Sequence, residues 1–195
     1  MLKKNNLLIS LLVIFFLSFS FSQDNYIFSE NIQLTDTSSN QKFPEITIHN
    51  NIVHITWVSI YGGSQNVMYS QSNDNGQTFS NPLQVNYINN NVVSYGQSGP
   101  KIEAYNDNIF ITYIDNRTGN WSVYMNISYD GGISWQEEIL VSDTPNYNGY
   151  QDFEIDINGN LHLIYYNYSA NHHVQDVRYL SAENNNEIWS FNQSS

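Results

Sequence analysis

The sequence predicts an all-β protein assembled from repeated four-stranded antiparallel units, and three observations predict it. Pro44 to Phe79 matches Pro100 to Trp135 at a constant offset of 56 residues. A third copy follows, with Leu161 to Tyr165 lying 52 residues beyond Ile109 to Tyr113 and Val177 to Tyr179 lying 54 beyond Val123 to Met125. Within each copy, short runs of apolar residues alternate with polar ones at period two. Asn, Gly and Asp cluster between the runs, and no 3.6-residue apolar period occurs beyond the N-terminal segment.

The second copy serves as the model. Its strands are expected over Ile102 to Tyr105, Ile109 to Tyr113, Ser122 to Ile127 and Glu138 to Val141. Asn106-Asp107-Asn108 makes the first turn, a polar loop follows, and a Gly-rich turn precedes the last strand. A repeating four-stranded unit of about 50 residues is the signature of a propeller blade. Blades are therefore expected over 44–86, 100–142 and 152–195. Leu34-Thr35-Asp36-Thr37 parallels Val141-Ser142-Asp143-Thr144, which predicts an orphan outer strand over Ile32 to Asp36. The last copy is expected to stop at Trp189 to Ser195, before its own fourth strand.

Lys3 and Lys4 precede an apolar stretch from Leu7 to Phe19, followed by the small residues Ser20 and Ser22. That pattern predicts a signal peptide over residues 1–22 and cleavage before Gln23. The stretch is shorter than a membrane span of roughly 20 residues, so no membrane association is expected after cleavage. Cysteine is absent, which excludes disulfides, thiolate nucleophiles and zinc-thiolate sites. A secreted, periplasmic or cell-surface protein of bacterial type is expected. The formal charge is −12, and beyond the signal peptide only Lys42, Lys101, Arg117 and Arg178 are fixed cations. Nucleic acid is excluded as a partner, because phosphate binding needs clustered Lys and Arg.

Ser72-Asn73-Asp74-Asn75-Gly76-Gln77-Thr78-Phe79 and Ser128-Tyr129-Asp130-Gly131-Gly132-Ile133-Ser134-Trp135 both fit Ser-x-Asp-x-Gly-x-Thr/Ser-aromatic. The short Asp accepts backbone N–H bonds inside the turn, Gly takes a positive φ, and the aromatic closes over the turn as a plug. Ala182 to Trp189 keeps only the plug. This pattern resembles the Asp box, or bacterial neuraminidase repeat, of the sialidase-like β-propellers. The resemblance covers about residues 30 to 190 and implies a partial propeller of about three blades. In that superfamily the box is a structural turn, which implies that Asp74 and Asp130 are not catalytic acids.

With the boxes on one end of the blades, ligand contacts are expected from the loops at the other end. Those loops hold Lys42, Tyr61, Tyr95, Asp115, Arg117, Trp121, Tyr147, Tyr150, His172, His173 and Asp176. Exposed aromatics beside hydrogen-bonding groups suit stacking on sugar rings. Asp115 and Arg117 are spaced for a local ion pair, which either presents the guanidinium to a ligand carboxylate or braces the loop. His172-His173 gives no metal site, because adjacent strand residues point to opposite sides and no third ligand is fixed by spacing. Asp152-x-Glu154-x-Asp156-x-Asn158-Gly159 reads as inner strand and turn rather than a calcium loop, since Phe153, Ile155 and Ile157 alternate with the acids. No metal or cofactor is expected.

The resemblance also implies, for a working sialidase, a three-arginine clamp opened by Arg-Ile-Pro, a Tyr nucleophile with a Glu partner, and an Asp acid. Lys42-Phe43-Pro44 stands at the first of these positions, and Arg117 and Arg178 are the sole arginines. Lys lacks the bidentate fork of Arg. The expected function is an exported module binding a glycan or a protein without a complete catalytic site. The alternative is the N-terminal part of a truncated exo-sialidase or related glycoside hydrolase. The resemblance further implies a six-bladed ring, so remaining blades of a longer chain or a homodimer partner are expected to complete it.

Overall fold

A computed structural model describes residues 29–36, 38–89, 91–96, 98–142, 147–168, 173–185 and 189–191. The expected signal peptide lies outside the described residues. Three antiparallel sheets follow one another along the chain. β1 (Asn40–His49), β2 (Ile52–Tyr61), β3 (Ser64–Ser72) and β4 (Leu83–Gln84) pair in sequence order. In the second sheet β5 (Val92–Val93) and β6 (Lys101–Tyr105) both pair with β7 (Asn108–Asp115), which is followed by β8 (Ser122–Ser128) and β9 (Ile139–Leu140). The third sheet runs β10 (Tyr147–Ile155), β11 (Leu161–Tyr168), β12 (Val174–Asn184) and β13 (Trp189–Phe191).

The sheets pack face to face through alternating side chains. Every residue of β7 is buried. Ile109, Ile111 and Tyr113 meet Val58, Val67 and Tyr69 of the first sheet. Phe110 and Ile114 point the other way and meet Phe153, Leu161, Leu163 and Tyr165 of the third. Because strand side chains alternate, one strand feeds two cores.

Two sequence expectations need correction. Ile32 to Asp36 forms no strand. Asp36 instead folds into a local turn, its Oδ1 accepting from the backbone N–H and hydroxyl of Ser38. The third copy does acquire a fourth strand, since Trp189–Phe191 pairs with Ala182–Asn184. Trp189 anchors it by stacking edge-on against Phe110 at 4.8 Å and donating from Nε1 to the Gly159 carbonyl at 2.8 Å.

The inner strands also begin earlier than the repeat suggested. β1 and β10 continue past bulges at Phe43-Pro44 and Tyr150-Gln151. Phe43 and Tyr150 take φ of 55° and 51°, a left-handed conformation that a bulge imposes. In the second sheet the same point is expanded into a loop, with Val93 opposite Ile114 and Lys101 opposite Thr112.

The two complete turn motifs share one hydrogen-bond pattern. Asp74 Oδ1 accepts the Thr78 N–H at 2.8 Å and its Oδ2 accepts the Thr78 hydroxyl at 2.6 Å, while Ser72 Oγ accepts the Gly76 N–H at 2.8 Å. Asp130, Ser134, Ser128 and Gly132 repeat those distances. The Thr78 hydroxyl and N–H hold the Asp74 carboxyl down at about 2. Both motifs leave the C-terminal ends of their third strands, opposite the β2–β3 and β7–β8 loops. Gly132 presses on the Tyr69 ring so closely that a Cβ there would clash, and Trp135 meets the same ring edge-on at 5.1 Å. The plug of one sheet therefore locks onto the sheet before it.

His54 occupies the position that Phe110 fills in the next sheet. It is buried with Nδ1 2.7 Å from the Tyr69 hydroxyl, and burial pushes its pKa down to about 4. The folded protein resists a proton that the unfolded chain takes up near pH 6.5, so stability falls as pH drops from about 6.5 to about 4. His54→Phe should flatten that part of the pH profile of the melting temperature. An unchanged slope would show that His54 does not set it.

Candidate functional site

The loops at the end opposite the turn motifs are anchored by a charged cluster built from three elements. Asp115 ends β7 with its side chain fully buried, and Arg117 follows it in the loop. Asp115 Oδ1 accepts the Arg117 backbone N–H at 2.7 Å and its Nε at 2.9 Å, and Oδ2 accepts from the guanidinium at 2.8 Å. Glu138, just before β9, takes the other side of the guanidinium at 3.3 Å and accepts from the Tyr113 hydroxyl at 3.1 Å. The Tyr87 and Ile88 N–H groups donate to Glu138 as well. Arg117 lies over the Tyr124 ring with its carbon 4.2 Å from the centroid. Burial pushes the Tyr113 hydroxyl upward, and the Glu138 charge adds to that. Burial raises the Glu138 carboxyl, but the Arg117 and Tyr87 hydrogen bonds outweigh it and leave the pKa low.

Of the two readings of the Asp115–Arg117 pair, this geometry is that of the loop brace. Two carboxylates and a tyrosine face clamp the guanidinium, which ties the β7–β8 loop to the outer strand and to the linker between the sheets. Sequence spacing showed the Asp115–Arg117 pair. It missed Glu138, which lies 21 residues from Arg117 and is brought in by strand pairing alone.

Beside the brace runs a band of aromatic rings. Tyr95, on the expanded loop of the second sheet, lies 6.1 Å from Trp121, and Trp121 meets Tyr147 edge-on at 6.0 Å. Tyr147 is paired in register with Tyr168. Tyr168 neighbours Tyr150 at 6.2 Å and Tyr166 at 6.1 Å. The Tyr150 hydroxyl rests against Gly96, where a Cβ would lie 2.6 Å away. Burial pushes the Tyr168 hydroxyl up to about 12, so it stays a neutral donor across the physiological range. Tyr95 is 65% exposed, and Trp121 is half-buried in the core between the second and third sheets. Tyr95, Trp121, Tyr147 and Tyr150 were expected in these loops. Tyr166 and Tyr168 were not among the named candidates.

The remaining candidates are separate. Lys42 and Tyr61 are exposed on the first sheet, Tyr61 by 71%. Asp176 pairs with Arg178 at 2.7 Å on the surface of β12. His173 is exposed, and His172 lies outside the described residues. Along the inner strands, Glu103 accepts from Thr47 at 3.2 Å, and burial followed by the nearby Glu154 charge pushes its carboxyl upward. Asp152 and Glu154 lie on β10, and Asp156 turns the chain after it by accepting from the Asn158 and Asn160 N–H groups.

No family model matches the sequence, and no curated protein matches it. Among solved structures, the chain superimposes on the endo-arabinase from Bacteroides thetaiotaomicron with a TM-score of 0.54 at 12% identity, covering 80% of this chain and 61% of that one. A thermostable family-43 glycoside hydrolase gives a TM-score of 0.54 at 13% identity, over 83% of this chain and 61% of that chain. Endo-1,4-beta-xylanase from Bacteroides thetaiotaomicron gives 0.50 at 12% identity, over 85% and 62%. The fold is a partial β-propeller. The chain spans less than two thirds of the length of these structures, and at such identities the likeness is one of fold. Each sheet is a blade, and the aromatic band lies on the propeller's loop face.

Removing one member of a buried ion cluster leaves the others unpaired, which costs about 3–5 kcal/mol. Arg117→Ala should therefore lower the unfolding free energy by about that amount in a urea titration. A loss below about 1 kcal/mol would contradict the brace.

Proposed function

We propose that this chain is an exported glycan-binding propeller module that does not complete a catalytic site by itself. The aromatic band carries the reading. A row of rings with one exposed end at Tyr95 and a half-buried anchor at Trp121 offers flat apolar faces edged by hydroxyls, the surface that sugar rings stack upon. The arginine beside it has its charge taken up by Asp115 and Glu138, so a clamp for an acidic sugar is not assembled from it. The structures on which the chain superimposes are named as glycoside hydrolases, an arabinase and a xylanase, which favours neutral glycans as the first ligands to test. Export rests on the N-terminal pattern of Lys3, Lys4 and the apolar stretch after them.

Screening the purified chain against plant and host oligosaccharides, followed by calorimetric titration of the best ligand, tests the proposal. Tyr95→Ala should weaken binding by on the order of tenfold without moving the melting temperature. Equal affinities for the variant and the parent would sink the assignment of the band.

The coverage of 61% of two glycoside hydrolase chains favours a second reading, in which this chain is part of such an enzyme. On the first reading, no product release is expected from a sialoside or an arabinoside. Turnover that survives purification to homogeneity would transfer the argument to the second.

A further inference from the structure

The repeat places equivalent residues at equivalent points on every blade, so the faces can be compared one by one. Each blade has a leading face, on the side of the following blade, and a trailing face, on the side of the preceding one, and the three described blades make two such junctions. On the leading faces of the first and second blades, Val58 and Ile114 are each 1% exposed, Val67 and Val123 are both 0%, and Tyr69 and Met125 are 1% and 0%. Their counterparts on the third blade are Tyr166, Val177 and Tyr179, exposed by 39%, 60% and 61%. Ile164 is 46% exposed where the other two blades bury Thr56 and Thr112 at 0%. The leading face that no described blade covers therefore carries apolar residues like its buried counterparts, and at Ile164 exceeds them.

The trailing face shows the reverse. Ile102 of the second blade is 4% exposed beneath the first blade, with Ala104 packed beside it. The residues 56 positions earlier are Ile46 and Ile48 of the first blade, exposed by 62% and 65%. Leu34, Asp36 and Ser39 border a cleft of about 320 Å³ over Trp57 on the same sheet, and those two isoleucines stay bare. One chain thus carries both halves of a blade-to-blade junction, open at opposite ends. Both halves continue a packing that the molecule makes twice internally.

We propose that the leading face of the third blade, at Ile164, Tyr166, Val177 and Tyr179, docks on the trailing face of the first blade, at Ile46 and Ile48, of a second copy of this chain. A two-fold axis then makes the reciprocal junction at the other end, so a pair of chains leaves neither face open. The recognition is apolar sheet-on-sheet packing of the kind already seen at the two internal junctions. Removal of contiguous apolar surface from water drives it. It shares only Tyr166 with the aromatic band; Tyr95 and Trp121, on which the glycan reading rests, are not among the junction residues.

Light scattering after size exclusion on the purified chain tests the proposal, with one species of twice the chain mass expected. Val177→Lys with Tyr179→Lys should give a monomer, and so should Ile46→Lys with Ile48→Lys. All four side chains are exposed within the single chain, so far-UV melting should still be cooperative, and Tyr179→Ser alone provides a milder variant should the double change misfold. Mixing the two monomeric variants should restore a dimer, because one intact junction remains between them. A monomeric or openly aggregating parent chain, as expected if further blades of the same polypeptide cover these faces, overturns the proposal. A dimer untouched by the Ile46 and Ile48 changes also overturns it, because the third blades would then pair with each other.

Discussion

Two-sided burial of β7 is the constraint from which the rest of the structure follows. A sheet whose strands alternate apolar side chains on both faces has no face to give to water, so it is stable only between two others. β7 sends Ile109, Ile111 and Tyr113 to one core and Phe110 and Ile114 to the other. The first and third blades obtain cover on one side from this arrangement. Their outward faces carry the same alternation without the same protection, which is why Ile48 and Val177 stand in solvent while Ile111 and Val123 do not.

The turn motifs belong to the same economy of packing. Ser72, Asp74 and Thr78 satisfy the turn internally, so the hairpin needs no outside donor or acceptor. The aromatic that follows leans across to the preceding blade, as Trp135 does on Tyr69 and Trp189 on Phe110. In the third copy the polar part of the motif is gone, yet the plug still seats its strand. The hydrophobic contact therefore outlasts the hydrogen-bonded turn as the element that fixes where the outer strand begins.

At the opposite end the same geometry gathers groups that are distant in sequence. The Asp115 and Glu138 carboxylates share the one Arg117 guanidinium away from water, and hydrogen bonds from Tyr113, Tyr87 and Ile88 to Glu138 stabilise the negative charge left over. A cluster so fully satisfied holds loops in place.

The sequence by itself determined the blade. A 56-residue offset, period-two alternation and two Ser-x-Asp-x-Gly turns specify strands, hairpins and the end of the sheet on which the turns lie, because all of these are set by side-chain direction and by backbone chemistry within a few residues. It also carried the Asp115–Arg117 pair, whose members are two residues apart. It misplaced the strand at Ile32 to Asp36, since similarity to Val141 to Thr144 supplies no partner strand and the Asp36 carboxylate finds Ser38 first. Tertiary structure alone decided that Glu138 would close over Arg117, that Tyr166 and Tyr168 would join Trp121 and Tyr147 in one band, and that a tryptophan would seat a fourth strand in the third blade. Those outcomes depend on which strands lie side by side and on what each face meets, and pairing between residues 20 to 80 positions apart leaves no local trace in the chain.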